Sequence, residues 1–254
     1  MTASAVQPTE IFVAADPKTL AELYAEWLIG RLSQTTGRFR IALCGGASPR
    51  PLYQLLGSGQ LNRRIDWSRF EIYWGDERFV APTAPDSNYA EAHALWLRHV
   101  PIPAAQLHPM PTAGAIEDCA RAYEELLRTS YGSAQLAPDR PLFDVVLLGV
   151  GENGHTASLM PGSDVLAERT HWVAPLRTGM PQMRLTLTYP ALASARAVTF
   201  IATGANKTEI VRRVRAGERS LPAAQITSDG ELFWFLDSMS AGQIQPKRKD
   251  GGKN

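Results

Sequence analysis

An α/β fold, with a largely parallel sheet covered by helices on both faces, is the fold class this sequence predicts. Three observations carry that expectation. Short apolar runs alternate with amphipathic helical stretches along most of the chain. The most apolar run, Phe143-Asp-Val-Val-Leu-Leu148, is continuous in branched residues, which suits a strand buried on both faces and so a central one. Glycine-rich turns follow two of the runs, and a Gly-Asp-Glu-Arg segment follows a third, at strand ends where open sheets of this kind bind ligands. A single Rossmann-like domain is expected over residues 1–244, and the charged, glycine-containing segment 245–254 is expected to be a disordered tail.

The elements follow in order. Ile11-Phe-Val-Ala14 is a short strand, and Asp16-Pro17 then supplies an N-cap and a proline at the first helical position. Leu20, Leu23, Tyr24, Trp27 and Leu28 recur at three- and four-residue spacing, which marks the helix. Phe39-Arg-Ile-Ala-Leu-Cys44 is the second strand, followed by a Gly-Gly turn and a helix to Leu56. Phe70-Glu-Ile-Tyr-Trp74 precedes a helix from about Ser87 to His99, and a longer helix from Ile116 to Thr129 precedes the central strand. Later strands are predicted at 172–174, 184–187, 198–202 and 232–236, with a helix from Lys207 to about Arg215.

Composition excludes several classes. The chain of 254 residues carries 26 Lys plus Arg against 25 Asp plus Glu, a net charge of +1, so it shows no basic footprint for nucleic acid or anionic membrane. Apolar residues make up 44%, enough for a packed core. No run approaches a membrane span, and the N-terminus lacks a basic region leading into an apolar stretch, so a cytoplasmic protein is expected. Cys44 and Cys119 have neither CxxC spacing nor nearby histidines and read as reduced core thiols. No metal site is expected.

Three loops carry chemistry. Gly45-Gly46-Ala47-Ser48-Pro49 leads into a helix; such a turn brings backbone N–H groups close to an anion, although a tight turn that merely needs glycine has the same look. Gly75-Asp76-Glu77-Arg78 and Asp86-Ser87-Asn88 gather charge at the same rim, where Arg78 either binds an anionic group or pairs with Asp76 or Glu77. Gly149-Val-Gly151-Glu152-Asn153-Gly154-His155 matches G-x-G-x-x-G, but Pro161-Gly162 interrupts the helix that a dinucleotide site requires. His155, walled by glycines at the mouth of the central strand, has the pKa range of a general base. The other four histidines sit in ordinary helical or loop settings. Arg184 opens a late strand, and Lys207 stands at a helix N-terminus, where a cation gains nothing from the dipole and a bound anion would explain it.

Together these segments resemble the 6-phosphogluconolactonase family, whose superfamily includes glucosamine-6-phosphate deaminase. Cys44-Gly-Gly-Ala-Ser-Pro49 is similar to the family's Ser-Gly-Gly-Ser-Thr-Pro, and Trp74-Gly-Asp-Glu-Arg78 to Trp-x-Asp-Glu-Arg. Asp86-Ser-Asn-Tyr89, Gly149 to Pro161, Arg184-Leu-Thr-Leu-Thr188 and Gly204-Ala-Asn-Lys207 follow in register, so the likeness spans about Ile41 to Leu236. It implies a cofactor-free hydrolase of a sugar-phosphate lactone, in the oxidative pentose phosphate route, working as a monomer. His155 would be the base, Arg78 and Lys207 would stabilise the oxyanion, and Gly45, Gly46, Ala47, Ser48, Asp76, Ser87, Asn88, Asn153 and Arg184 would bind substrate.

Two departures stand out. Cys44 and Ala47 replace family serines, which removes hydroxyls from the turn and leaves its backbone donors. Asn153 replaces an aspartate two residues before the histidine; an asparagine orients the imidazole without charging it, and Glu152 is an alternative partner. The resemblance leaves two other functions to weigh: an aminosugar-phosphate isomerase or deaminase, which would need further acid-base groups, and a non-catalytic sugar-phosphate sensor. The Trp-x-Asp-Glu-Arg form at Trp74 to Arg78 and the His-Thr-Ala-Ser form at His155 to Ser158 favour the lactonase.

Overall fold

The computed structural model describes residues 9–177 and 181–244, so the expected tail at 245–254 lies outside the described residues. The chain runs β1 (Thr9–Ala14), α1 (Pro17–Gln34), β2 (Phe39–Leu43), α2 (Arg50–Gly57), β3 (Phe70–Trp74), β4 (Asp76–Arg78), α3 (Asn88–Leu95) and β5 (Leu107–His108). It continues through α4 (Ile116–Tyr131), β6 (Phe143–Leu148), β7 (Val173–Leu176), β8 (Arg184–Leu187), α5 (Tyr189–Ala193) and β9 (Ala195–Ala202). The last elements are α6 (Thr208–Arg215), β10 (Glu231–Asp237) and α7 (Ser238–Ala241).

Among the described residues, seven strands form one sheet in the order β1-β10-β9-β6-β2-β3-β5, every pair parallel. The continuous apolar strand β6 sits in the middle, as its sequence predicts. Its four residues Val145 to Leu148 are fully buried, whereas Asp144 at the entry end accepts the Arg40 backbone N–H at 2.8 Å. The two faces are covered by different helices. Tyr24 and Trp27 of α1 pack on Phe235, and the Tyr24 hydroxyl meets the Thr199 hydroxyl at 2.8 Å, a partner that a buried phenol requires. On β3, Phe70 packs with Trp96 beyond α3, while Tyr73 points the other way and its hydroxyl meets Ser130 of α4 at 2.8 Å.

A second, three-stranded antiparallel sheet, β4-β8-β7, stands at the carboxyl ends of the parallel strands. The late strand beginning at Arg184 therefore belongs to this small sheet and not to the parallel one. Glu124 of α4 anchors β7 through the Trp172 and Val173 N–H groups at 2.9 and 3.2 Å. The helix expected over 87–99 stops at Leu95 and finishes as a 3₁₀ turn, and β5 is a two-residue edge strand too short to leave a periodic signal.

Strand order reverses between β2 and β6: the chain steps outward one way through β3 and β5, and the other way through β9 and β10. In parallel sheets the crevice at such a reversal, outside the carboxyl ends, is where ligands bind. Here it lies between the turn after β2 and the loop after β6, with β4 and β8 roofing one side.

Candidate active site

A cleft of about 300 Å³ occupies this crevice. Its floor is the turn from Gly45 to Pro49. Both glycines are required there: Gly46 has φ +98°, a left-handed conformation, and a Cβ on Gly45 would stand 1.9 Å from Asn88 Oδ1. Asn88 is buried and donates to the Asp76 carbonyl oxygen at 2.8 Å, tying the turn to β4. The Ser48 hydroxyl accepts the Thr203 N–H at 3.1 Å, so turn and opposite rim are linked.

The loop after β6 closes on itself, with the Gly151 N–H donating to the His155 carbonyl and the Gly154 N–H to the Gly151 carbonyl, each at 2.8 Å. A Cβ at Gly151 would meet the His155 ring at 2.1 Å, so that glycine is the seat of the imidazole. Asn153 Oδ1 accepts the His155 backbone N–H at 3.2 Å and contacts Nδ1 at 2.5 Å. A backbone N–H can only donate, so the amide atom facing the ring is the oxygen, Nδ1 carries the proton, and Nε2 keeps its lone pair. Burial holds the His155 pKa below the usual histidine value; the Asp76 charge works against this, and the Arg184, Lys207 and Arg78 charges reinforce it. The lowered pKa favours the neutral form of the imidazole. No helix follows: Thr156 bridges to Leu159, and Ala157 takes φ +47°. A dinucleotide site has no helix N-terminus here.

Three cations converge on the cleft from separate elements. Arg184 starts β8 opposite Arg78 at the end of β4, and both are paired in register across the small sheet. Arg78 does not pair through its guanidinium with Asp76 or Glu77. Its Nη1 donates to the Asp86 carbonyl at 2.6 Å, and only its backbone N–H reaches Glu77. Both arginines keep a buried Nε without a partner among the described residues. Lys207 ends a 3₁₀ turn just before α6, half-buried, with no ion pair among the described residues. Asp76 is the one carboxylate among the described lining residues, so three positive charges face one negative charge.

Ten of the twelve residues singled out from sequence line this cleft: Gly45, Gly46, Ala47, Ser48, Asp76, Arg78, Asn88, His155, Arg184 and Lys207. Asn153 stands behind His155. Ser87 does not line the cleft and is a correction. It caps α3, accepting the Ala90 N–H at 3.1 Å and donating to Glu77 at 3.0 Å. Glu152 turns away from the histidine, accepting from Asn206 at 2.6 Å. Sequence reasoning missed Glu77 and Ser158. Glu77 is buried beneath the site and accepts the Arg78, Asn88 and Tyr89 N–H groups at 2.7–2.8 Å; burial pushes its pKa up, and these bonds oppose the push. Ser158 bonds to Asp76 from a fully buried position. No group of three or more His, Cys, Asp or Glu among the described residues is placed to hold a metal ion. No described helix is long and apolar enough to cross a membrane. Cys44 and Cys119 are free and buried.

The model of the family described as glucosamine-6-phosphate isomerases/6-phosphogluconolactonase matches residues 15–234. A 6-phosphogluconolactonase of Nostoc sp. is 38% identical over 213 residues, covering 82% of this chain and 85% of the relative. One from Synechocystis sp. is 39% identical over 215 residues, covering 83% and 86%. The solved 6-phosphogluconolactonase of Trypanosoma brucei superposes with a TM-score of 0.79 at 28% identity, covering 94% of this chain and all of that one.

Proposed function

Because the chain belongs to the glucosamine-6-phosphate isomerase/6-phosphogluconolactonase family, we propose that it hydrolyses 6-phospho-D-glucono-1,5-lactone to 6-phospho-D-gluconate, in the oxidative pentose phosphate route. The observation that carries this reading is His155, its Nδ1 set against Asn153 Oδ1 at 2.5 Å, on a cleft where three cations, Arg78, Arg184 and Lys207, face the single carboxylate of Asp76 among the described lining residues.

The phosphate lies against the Gly45 to Ser48 backbone, and Arg184 and Lys207 neutralise its charge. Anchoring that remote group fixes the lactone carbonyl relative to His155, so that binding energy is used for positioning. His155 Nε2 removes a proton from water as the oxygen attacks C1. Asn153 stabilises the imidazolium by accepting from Nδ1, through a dipole and without a charge. Arg78 faces the developing oxyanion, with Lys207 as a second donor. The proton then passes from Nε2 to the departing ring oxygen. An isomerase or deaminase would need a further free acid-base group over the sugar, and Asp76 is already engaged by Ser158 and Asn88.

The test is acid release from freshly prepared lactone, measured against its spontaneous hydrolysis, with unphosphorylated gluconolactone alongside. Acceleration confined largely to the phosphorylated compound is the expected result. No acceleration, or release of ammonia from glucosamine 6-phosphate instead, would refute the reading.

A further inference from the structure

A carboxylate beside a phosphate-binding arginine competes with the phosphate, and this cleft contains one. Asp76 of β4 and Arg184 of β8 are close neighbours in the small sheet, both largely buried. A direct guanidinium–carboxylate hydrogen bond would close to about 2.7–2.9 Å. Arg184 Nη1 instead stands 3.6 Å from Asp76 Oδ2. The Ser158 hydroxyl donates to that same oxygen at 2.6 Å, on the short side for a hydrogen bond, and Asn88 Nδ2 holds the other oxygen, Oδ1, at 3.3 Å.

Ser158 is firmly placed to do this. It has no exposed surface, and its backbone N–H donates to the Thr186 hydroxyl at 3.2 Å, which fastens it to the strand that carries Arg184. The residue before it, Ala157, takes φ +47°, a left-handed conformation unfavourable for a residue with a Cβ. The strained turn sends the chain inward and buries a hydroxyl next to a carboxylate. The Arg184 Nε is left without a partner among the described residues.

We propose that Ser158 is a positioning residue, whose hydroxyl draws the Asp76 carboxylate off Arg184 and so keeps the guanidinium open to the phosphate of the substrate. The proposal rests on Arg184 being a phosphate contact, as in the function proposed above. Without the hydroxyl, Asp76 Oδ2 would turn to Arg184, and the anion would have to displace it.

Inorganic phosphate binding, read by calorimetry, tests this whether or not the lactone is the substrate. Ser158→Ala should weaken phosphate about tenfold, the scale of one charge-assisted hydrogen bond. It should raise the KM for the lactone by a similar factor while kcat changes less than about twofold. Asp76→Asn should tighten phosphate, the opposite of what general damage to the fold would do, and in that background Ser158→Ala should have no further effect on phosphate affinity. Unchanged phosphate affinity in Ser158→Ala would overturn the proposal. So would an equal loss in the Asp76→Asn background, because the serine would then act on something other than the carboxylate.

Discussion

Replacing Asn153 with aspartate puts a charge where the protein now has a dipole, 2.5 Å from His155 Nδ1. Two unit charges about 4 Å apart interact by about 4 kcal/mol at an effective dielectric of 20, and by about 1 kcal/mol in bulk water. Position 153 is exposed, so screening places the pair near the lower end, at about 1.4 kcal/mol or about one pKa unit. The sign follows because a neighbouring negative charge stabilises the imidazolium. In the unmodified chain burial holds the His155 pKa down, so the acid limb of kcat/KM should fall below the ordinary histidine value of about 6.5. In Asn153→Asp that limb should move up by about one unit, because the base is neutral only above the raised pKa. The plateau rate should rise as well, since the transition state develops imidazolium charge. A pH-stat series on fresh lactone, corrected for spontaneous hydrolysis at each pH, reads both quantities. An acid limb that stays in place or moves down would refute the pairing of position 153 with the histidine.

Three further outcomes are expected. Glu152→Gln should leave the rate nearly intact, because that carboxylate is bonded to Asn206 and not to the imidazole; a loss of tenfold or more in kcat would contradict this. Gly151→Ala should lower kcat without abolishing phosphate binding, since its Cβ would displace the ring and not the Gly-Gly turn; unchanged kcat would show that the ring has other room. Arg184→Ala and Lys207→Ala should each weaken 6-phosphogluconate by about 1.5–3 kcal/mol in calorimetry, the scale for a charged hydrogen bond. Unchanged affinity in both would place the phosphate elsewhere.

The parallel sheet was legible because each of its longer strands buries a continuous or nearly continuous apolar run, and β6, the most apolar, is the central one. The glycine turns and His155 were legible for a related reason: glycines cluster where a backbone must turn tightly or lie against a ring. Two strands of the small sheet, β7 and β8, were legible as strands, but their separation from the parallel sheet and the strand β4 were not. β4 is three charged residues, whose burial depends on β8, more than a hundred positions later, and on bonds to Ser87, Asn88 and Tyr89. Nothing in the hydropathy of Asp76-Glu77-Arg78 marks a strand. Ser158 was hidden in the same way, since its partner is 82 residues away and a serine after a glycine loop reads as surface. Ser87 was misread because the residue that caps a helix and the residue that meets a ligand have the same local signature, a short hydroxyl at a loop end.

The most direct measurement is the turnover of His155→Ala on freshly made lactone, taken together with its affinity for 6-phosphogluconate. A positioned general base contributes about two to four decades. Turnover should fall by that factor while affinity for the product stays close to that of the unmodified chain, because the residues proposed to hold the phosphate, Arg184, Lys207 and the Gly45 to Ser48 turn, belong to other elements. Near-normal turnover in a folded His155→Ala protein would contradict water activation by His155.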